Sequence, residues 1–567
     1  MTKFRKRIII ILSVVLVVFV AAGLSLNFIL SSIATTKLAD KLEEINNEGK
    51  VLIKVDKIKV NVFSSTLIIK GVSIVPDSSE LSSLRSGMYN RASLVGYNVE
   101  DVRLRGFSIF KIVVDKEVDL RKILVKGLKI IINKTKNFKP KESLGHGSKV
   151  FDLDSIRLPF LRSLRLNKIE IAGFAIKVYD LDNNDTTFKY SGDKFELNGF
   201  KIEEVGGKQG LFEFKTDDLR LKMKRQRFDL PDNNYFVYFG KLNYVFSDST
   251  LKINDFMLKP VRKKELLAAS FKYTQEVFDL DIKQLAIVGI KARDLIRKGV
   301  IDIDSVVLIG LNLQLFKDKS KPWDYGKRPL FPQQSLKKME QDLNIGNIII
   351  EKSSFGYTEL PHKSKIPMLV DITDLSARIT GVTSIDDSIK AGKNLKVSIK
   401  GRLMNAARMN VDILMPIRSA VDTFYFSGNL GPAPLRKFNN ALYPASGIKI
   451  KKGNLKRIRF AVAASPRRSI GNMTMLYNDL EAEVAKVDVE EKDKALSWLA
   501  NVVVPKSNPS RKGKTKVARI EFERVAYKGM GNLLWKSVQS GLVNTISPIG
   551  KKAGKKSSAK RRKKKKR

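Results

Sequence analysis

Cysteine is missing from the 567-residue chain, and histidine occurs only twice, at His146 and His362. The first absence excludes disulfide bonds, thiolate zinc sites and cysteine nucleophiles. The two histidines stand in turn-like surroundings, LGHG and LPHK, far apart in the sequence, and are interpreted as plain surface residues. A histidine-based metal cage or catalytic triad is therefore not expected.

Loops that bind phosphate or calcium are also missing. The GKT at residues 513–515 resembles the end of a nucleotide-binding loop, but the upstream glycine is absent. Asp180, Asp182 and Asp185 have the spacing of a calcium-loop fragment without its glycine and closing glutamate, which favours a polar hairpin turn. No set of residues argues for an enzyme, a cofactor or a metal, and none is predicted.

Acidic residues are scarce relative to basic ones. The chain has 105 Lys and Arg against 58 Asp and Glu, a formal net charge of +47. Such a balance points to polyanions, which include nucleic acid, anionic lipid headgroups and acidic polysaccharide. Hydrophobic residues still make up 43% of the chain, enough to bury a core.

The N-terminus helps to choose among these partners. Residues 1–7, MTKFRKR, form a basic cytoplasmic segment, and residues 8–30 are almost wholly apolar. About 20 such residues span a bilayer as a helix, and flanking basic residues favour a cytoplasmic N-terminus. A cleavable signal peptide is the alternative, but its apolar region is shorter, and this one continues past residues 21–23 into LSLNFIL. The sequence predicts an uncleaved anchor with the bulk of the chain on the far side of the membrane, where nucleic acid is not an expected partner.

Beyond the anchor, the hydrophobic period divides the chain. A juxtamembrane helix is predicted over residues 31–49, and from Val51 onward the period changes to two, typical of strands with one buried face. The β-rich domain spans residues 50–526, with short helices near residues 332–343 and 494–501. Two C-terminal segments follow it.

The first of these is predicted to be an amphipathic helix over residues 527–547, and the second a disordered polybasic tail over residues 548–567. The last 17 residues contain 12 Lys or Arg, a composition that adheres to anionic bilayers. Together with the adjacent tryptophan-containing helix, the tail favours a C-terminal membrane contact. A solvated tail without a dedicated partner is the alternative.

One pattern of eight residues recurs along the β-rich domain. It reads apolar-x-apolar-x-Gly-apolar-x-apolar, as in LIIKGVSI ending at Ile74 and IEIAGFAI ending at Ile176. The glycines at the centre of its clear copies are Gly71, Gly106, Gly127, Gly173, Gly199 and Gly310. In each copy, the apolar residues change parity at the glycine: if those before it have odd numbers, as Leu67 and Ile69 do, those after it have even numbers, as Val72 and Ile74 do.

On a flat strand the two halves of this pattern would point to opposite faces. One extra residue at the glycine restores a common face, and glycine tolerates the dihedral angles that a β-bulge needs. The glycines are therefore predicted to be bulges or tight bends in a long, twisted antiparallel sheet; hairpin turns between short strands are the alternative. The candidate apolar face consists of Leu67, Ile69, Val72, Ile74, Leu104, Phe107, Ile169, Ile171, Phe174 and Ile176.

Several segments of the chain follow one another in an informative order. The basic-apolar start leads into the strands KVLIKVDKIKVNVFSSTLIIKGVSIVPD, and IGNIIIEKSSFGYTEL, with Tyr357, Thr358 and Glu359, comes later. SIGNMTMLYNDLEAEV, WLANVVVPKSNP and GNLLWKSVQSGLVNTI then follow. In this order the segments resemble the opening, a central repeat and the closing part of the AsmA-like bacterial envelope proteins, particularly the forms found in Bacteroidota. The likeness covers nearly the whole chain, whereas the strong basicity and the polylysine tail depart from it.

This resemblance implies a fold and a role. Related proteins are similar to bridge-like lipid-transfer proteins, whose β-sheet curls into an open groove, apolar within and polar outside. The chain is accordingly expected to be mainly β: a transmembrane helix, then a long twisted antiparallel sheet curled into an open groove, then an amphipathic helix. The resemblance implies a single-pass inner-membrane protein with its bulk in the periplasm, which binds or transfers phospholipids during outer-membrane or envelope assembly.

Two other functions stay open at this point. A structural scaffold with a closed β core would use its basic surface to hold lipopolysaccharide, peptidoglycan, other anionic envelope polymers or envelope proteins. Polyanion binding by the tail is the third, which the membrane topology disfavours. An open face of aliphatic side chains would favour lipid, whereas two sheets packed about 10 Å apart would favour the scaffold.

Overall fold

The computed structural model describes residues 51–135, 156–157, 163–204, 211–215, 219–484 and 504–547, with short gaps inside the first and fifth ranges. Strands make up 63% of these residues, and the helices are few, so the fold is mainly β as the sequence predicts. Several sequence predictions fall outside the described residues: the segment 1–7, the anchor at 8–30, the helices at 31–49 and 494–501, and the tail at 548–567.

The strands follow one another along the chain, mostly as long antiparallel pairs. In chain order they are β1 (Val51–Asn61), β2 (Thr66–Pro76), β3 (Ser93–Arg105), β4 (Glu117–Leu120), β5 (Lys122–Lys134), β6 (Ile156–Arg157), β7 (Ser163–Asp180), β8 (Asp185–Glu204), β9 (Leu211–Lys215), β10 (Arg220–Asp229), β11 (Tyr235–Val245), β12 (Thr250–Pro260), β13 (Glu276–Val288), β14 (Ile301–Asp318), β15 (Leu343–Leu360), β16 (Met368–Thr383), β17 (Asn394–Leu403), β18 (Ala407–Pro416), β19 (Phe424–Leu430), β20 (Ala433–Pro434), β21 (Ile448–Ala464), β22 (Arg468–Val484) and β23 (Val517–Glu523).

The helices lie between these strands and at the C-terminal end of the described chain. They are α1 (Ser78–Arg85), α2 (Lys264–Ser270), α3 (Pro332–Lys337), α4 (Asn439–Ser446) and α5 (Met530–Ile546), with a 3₁₀ turn at Leu435–Phe438. Within the described part of the chain, no helix is both long and apolar enough to cross a membrane. Helix α5 occupies the span in which the sequence predicts an amphipathic helix. Helix α3 is shorter than the predicted 332–343, because the chain turns after Lys338 and enters β15 at Leu343.

The described residues form two compact units. The first comprises the chain up to Arg262 together with Leu280–Ile309 and Gln341–Ile345. The second comprises Lys263–Asp279, Gly310–Glu340 and the chain from Gly346 onward.

The first unit is built on a mixed sheet rather than the purely antiparallel one that the sequence predicts. Its ladder runs through nine successive pairings: β1–β2, β2–β3, β3–β5, β5–β7, β7–β8, β8–β10, β10–β11, β11–β12 and β12–β13. Strands β4 and β5 run parallel to β7, which the long connection between Lys134 and Ser163 permits. At about 4.8 Å per pairing, this ladder extends for roughly 43 Å across its strands.

The turn between β7 and β8 contains the aspartates that resemble a calcium loop. The carboxylate of Asp180 accepts hydrogen bonds from the backbone N–H of Asp182 and from the backbone and side chain of Asn183, and Asp180 pairs with Asp185 across the hairpin. A short polar side chain that bonds its own turn stabilises the reversal of the chain. Among the described residues no cluster of acidic or histidine side chains has the arrangement of a metal site.

The six glycines of the recurring pattern all have positive φ, between +62° and +72°. Five lie inside strands β2, β5, β7, β8 and β14, and Gly106 directly follows β3. They are therefore bends within strands, or at a strand end, and not hairpin turns between short strands. After a left-handed residue, each side chain points to the face opposite to the one that regular alternation would give it. The apolar residues of both halves of the strand therefore share a face.

The register through these bends is one residue to one residue. Lys57 pairs with Lys70 and Val55 with Val72, so Asp56 stands opposite Gly71 with no extra residue on either strand. The same continuous register holds from β2 through β13, apart from a shift at the β7–β8 hairpin. A one-sided bulge, with two residues opposite one, is thus absent at Gly71, Gly127, Gly173 and Gly199, because the neighbouring strand has its own change of parity at the same level.

The glycine at a strand bend also makes room for the side chain of the residue paired with it on the neighbouring strand. An added Cβ at Gly71 would overlap the carboxylate of Asp56, and one at Gly127 would overlap that of Glu100. In both cases the two residues stand directly across from each other on neighbouring strands. A polar side chain therefore covers the bend from the adjacent strand.

The second unit contains an antiparallel meander with a fully buried core. Its strands pair in the order β16, β17, β18, β19, β21, β22 and β23. Helix α5 lies on β22 and β23 through a stripe of small residues, in which Ser537 and Thr545 are buried and Gly541 lies against Met473 and Ile520. The small side chains let the helix backbone approach the sheet closely; Leu533 continues the buried stripe, whereas Trp535 is exposed.

The left-handed bend at Gly173 can be tested without steric interference, because an added Cβ there would meet nothing within 4 Å. Its φ of +67° costs an L-residue about 1–2 kcal/mol. We expect Gly173→Ala to lower the free energy of unfolding by about 1 kcal/mol, and Gly173→Asn to lower it less, since asparagine tolerates this conformation. Urea unfolding of both variants measures the difference. Equal midpoints for the wild type and both variants would show that the left-handed conformation at residue 173 does not affect the stability of the fold.

Candidate functional site

The apolar face of the first unit is the candidate site. Because the ten strands of the ladder change parity at the same level, their rows of apolar side chains stay on one side of the sheet from β1 to β13. In β5 they are Ile123, Val125, Leu128, Ile130 and Ile132; in β7 they are Ile169, Ile171, Phe174, Ile176 and Val178. The residues between them face the other side; they include Lys126, Lys129, Glu170 and Lys177 together with small residues.

The two ends of this apolar face differ in burial. At one end, nine residues of β2–β5, β7 and the segment after β3 form a buried cluster, which includes the predicted face residues Leu67, Ile69, Leu104 and Phe107. The other six predicted residues, at 72, 74, 169, 171, 174 and 176, are only half-buried. The predicted positions therefore share a face, but only the second group leaves apolar surface uncovered.

An aromatic row crosses the half-buried part of the face. Phe174, Tyr190, Phe228 and Phe239 lie on the successive strands β7, β8, β10 and β11. Tyr190 meets Phe174 edge-on at 5.1 Å and stacks on Phe228 at 4.1 Å between ring centroids. Such contacts fix the rings and leave a broad hydrocarbon surface between the strands.

A single polar side chain, Gln226, is inserted in this row. It is fully buried and lies over Gly192, which has no side chain to displace it. Its amide donates to the carbonyls of Lys194 (3.1 Å) and Lys224 (2.7 Å), and its oxygen accepts from the Tyr190 hydroxyl at 2.7 Å. The strand bends interrupt the ladder at this level, so Gln226 satisfies carbonyls next to the interruption. Burial raises the pKa of Tyr190 to about 12, which keeps it a hydrogen-bond donor.

The opposite face carries a network of lysines and glutamates across β5, β7 and β8. Lys168 and Lys194 each lie between Glu170 and Glu196, and Lys122 pairs with Glu170 at 2.8 Å. Burial by itself would raise the pKa of Glu196, but hydrogen bonds from Lys194, Asn198 and Lys168 outweigh it and lower that pKa to about 2. The Lys122 hydrogen bond lowers the pKa of Glu170. The network keeps this face charged and hydrated, in contrast to the apolar face.

The sequence pattern missed the part of the apolar face on β10–β13, because glycine does not mark every bend there. Arg225 and Asp255 themselves have positive φ, at +46° and +55°. The half-buried or buried residues on these strands are Leu221, Met223, Phe228, Val237, Phe239, Leu242, Tyr244, Leu251, Ile253, Phe256, Leu258, Leu280, Ile282, Leu285 and Ile287. A sequence signal that marks these bends without glycine is a pair of adjacent polar residues that breaks the apolar-polar alternation, as in Asp56-Lys57 and Lys224-Arg225.

This arrangement suits a ligand that is apolar and extended. Aliphatic and aromatic side chains cover the face, and away from the strand ends the charged groups that the structure describes on these strands belong to the other side. Burial of a hydrocarbon chain on such a surface contributes about 0.8 kcal/mol per CH₂.

The ion network makes the stability of the first unit depend on pH. Since the pKa of Glu196 is about 2 in the folded state and about 4.3 when unfolded, its stabilisation is complete above pH 4.3 and lost as the pH falls towards 2. We expect Glu196→Gln to lower the thermal midpoint at pH 7, with a deficit that shrinks between about pH 4.3 and 2.

Thermal unfolding of both proteins across this pH range measures that deficit. Glu523→Gln, at the exposed last residue of β23, serves as the control. A deficit for Glu196→Gln that stays constant down to pH 2 would contradict the assignment of the pH dependence to this carboxylate.

Comparison with family models and with curated proteins gives no match to this chain. The resemblance drawn from the order of its segments therefore stays an expectation. A function has to be derived from the fold and from the contrast between the two faces of its sheet.

Proposed function

We propose that this protein binds lipids on the apolar face of its first unit and carries or organises them in the bacterial envelope. The observation that carries the proposal is an apolar face that continues across ten strands and, beyond the buried cluster at one end, is largely half-buried, opposite a face with paired charges. A soluble protein rarely leaves so large an apolar surface uncovered unless something binds there. Acyl chains match it in polarity and in length, since they are flexible hydrocarbon that can lie along or across the strands.

The proposal includes the membrane context that the sequence predicts. A chain held by residues 8–30 in the inner membrane would have its sheet in the periplasm, beside the bilayer from which phospholipid comes. The open groove implied by the resemblance would let headgroups stay in water while the tails lie on the apolar side chains. No catalytic step is part of this function.

A scaffolding role is the second candidate, and the buried core of the second unit favours it for that part of the chain. Phe424, Met473, Tyr477 and Ile520 are almost fully buried there. A unit of this kind needs no ligand to complete its core. The two candidates therefore differ in what they predict for the first unit.

Two adjacent residues of β5 separate the proposals. Ile130 is half-buried on the apolar face, whereas Ile131 is 40% exposed on the opposite face. We expect a photoreactive benzoylphenylalanine at position 130 to form adducts with phospholipid in cells, and the same residue at position 131 to form few or none. Mass spectrometry of the irradiated, purified protein identifies the adducts.

A matched substitution gives a second measurement of the same prediction. Ile130→Glu should strongly reduce the phospholipid that co-purifies with the full chain in mild detergent, because a carboxylate on the apolar face is costly to bury. Ile131→Glu should leave it unchanged. Equal crosslinking at both positions, or a wild-type protein free of bound phospholipid, would favour the scaffold.

A further inference from the structure

Five segments at one end of the second unit form a loop cluster: residues 263–275, 319–331, the described residues of 417–423, and residues 465–468 and 524–529. The hydroxyl of Thr274 donates to the carbonyl of Lys321 at 2.6 Å. A guanidinium nitrogen of Arg524 donates to the carbonyl of Pro329 at 2.7 Å, and the Arg524 backbone N–H donates to that of Arg467. The amide of Gln334, just beyond these segments, donates to Asp422 at 2.8 Å.

Aromatic rings hold part of this loop cluster in place. The rings of Trp323 and Tyr527 lie 5.8 Å apart, and Tyr325 meets Tyr527 edge-on at 4.9 Å. The ammonium of Lys528 lies 4.2 Å from the centre of the Trp323 ring. These contacts orient the loops, yet Tyr325 remains 63% exposed to solvent.

Large apolar side chains are exposed on the same segments, which include helix α2. Val421 is 69% exposed, Leu266 is 60% exposed and Leu330 is 43% exposed. Single exposed apolar residues are ordinary, but here they share one end of the unit with tyrosines and a tryptophan. Trp and Tyr prefer the boundary between water and lipid, where the ring is in the apolar part and the polar group is hydrated.

The charge of the loop cluster is strongly positive. Its five segments contain 12 Lys and Arg against three Asp and Glu, a ratio of four to one, compared with 105 to 58 for the whole chain. Two of the three acidic residues are already occupied: Asp422 accepts from Lys337, and Asp324 accepts from the backbone of Gly326. The excess of basic residues complements an anionic surface.

From these observations we infer that the loop cluster is a membrane-docking surface that inserts Tyr325, Leu330 and Val421 among the headgroups of an anionic bilayer. The basic side chains contact lipid phosphates, and the apolar tips enter the boundary of the acyl layer. The positive charge of these loops could also bind nucleic acid, but a phosphate backbone would make no favourable contact with the exposed valine and leucine side chains. This docking does not depend on lipid binding by the first unit, so the two proposals can fail separately.

The absence of native cysteine makes a direct test simple, since a single introduced thiol can be labelled in the full chain. Val421→Cys and Tyr325→Cys place an environment-sensitive fluorophore in the loop cluster. Val517→Cys is the matched control: Val517 is 60% exposed but starts β23, about 20 Å along the strand from the loops. The full chain is held in nanodiscs of phosphatidylcholine, and vesicles of equimolar phosphatidylglycerol and phosphatidylcholine are added.

We expect blue-shifted, stronger emission from labels at 421 and 325, and no change at 517. The response should be absent with pure phosphatidylcholine vesicles. It should persist after deletion of residues 551–567, the most basic part of the C-terminal tail. Lys327→Ser and Arg328→Ser should each weaken vesicle binding about fivefold. Lys396→Ser and Lys400→Ser, at exposed positions of β17, should not.

Three results would overturn the docking surface. One is an equal shift at position 517. Another is loss of the response when only the tail is deleted, which would assign the contact to the tail. The third is an equal response to short duplex DNA, which would show that the loops bind polyanions in general.

Discussion

The strict alternation of side chains along a β-strand is the constraint on which this structure depends. The ladder strands of the first unit are 10 to 20 residues long, and each keeps a row of apolar residues on one face. Here each of the ten ladder strands of the first unit changes parity at a shared level, with two consecutive residues facing the polar side. Because the neighbours make the same change, the register stays one to one, and a single apolar face continues through ten strands.

That shared change of parity explains why glycine and acidic residues recur in pairs. Gly71 has the left-handed conformation, and Asp56 covers it from the adjacent strand; Gly127 and Glu100 repeat the arrangement. The bend interrupts the ladder, and Gln226 shows how a nearby side chain can satisfy the neighbouring carbonyls. The lysine–glutamate network on the polar face then keeps that side hydrated. The contrast in polarity between the faces is thus a consequence of local backbone geometry repeated in register.

The two units use their apolar residues differently. In the second unit, helix α5 covers β22 and β23 with small residues, so Met473 and Ile520 are sealed. In the first unit the apolar face beyond the cluster around Leu104 remains half-buried, which is why lipid binding is proposed there. The second unit instead presents basic and aromatic loops at one end. A carrier needs both properties: a surface for acyl chains and a place to contact the bilayer that supplies or receives them.

The amino-acid sequence by itself determined the strand-rich class, the shared apolar face of the pattern around Gly71 and Gly173, and the span of α5, because these follow from the periods of hydrophobic residues. It also indicated that histidine or cysteine chemistry is not to be expected. Only the tertiary structure decided that the bends are matched across strands, that β5 and β7 run parallel, and that Leu67 and Phe107 are sealed whereas Phe174 is not. Which strands pair, and which apolar side chains are buried by other segments, depend on residues distant in the chain, and local periodicity contains no information about them.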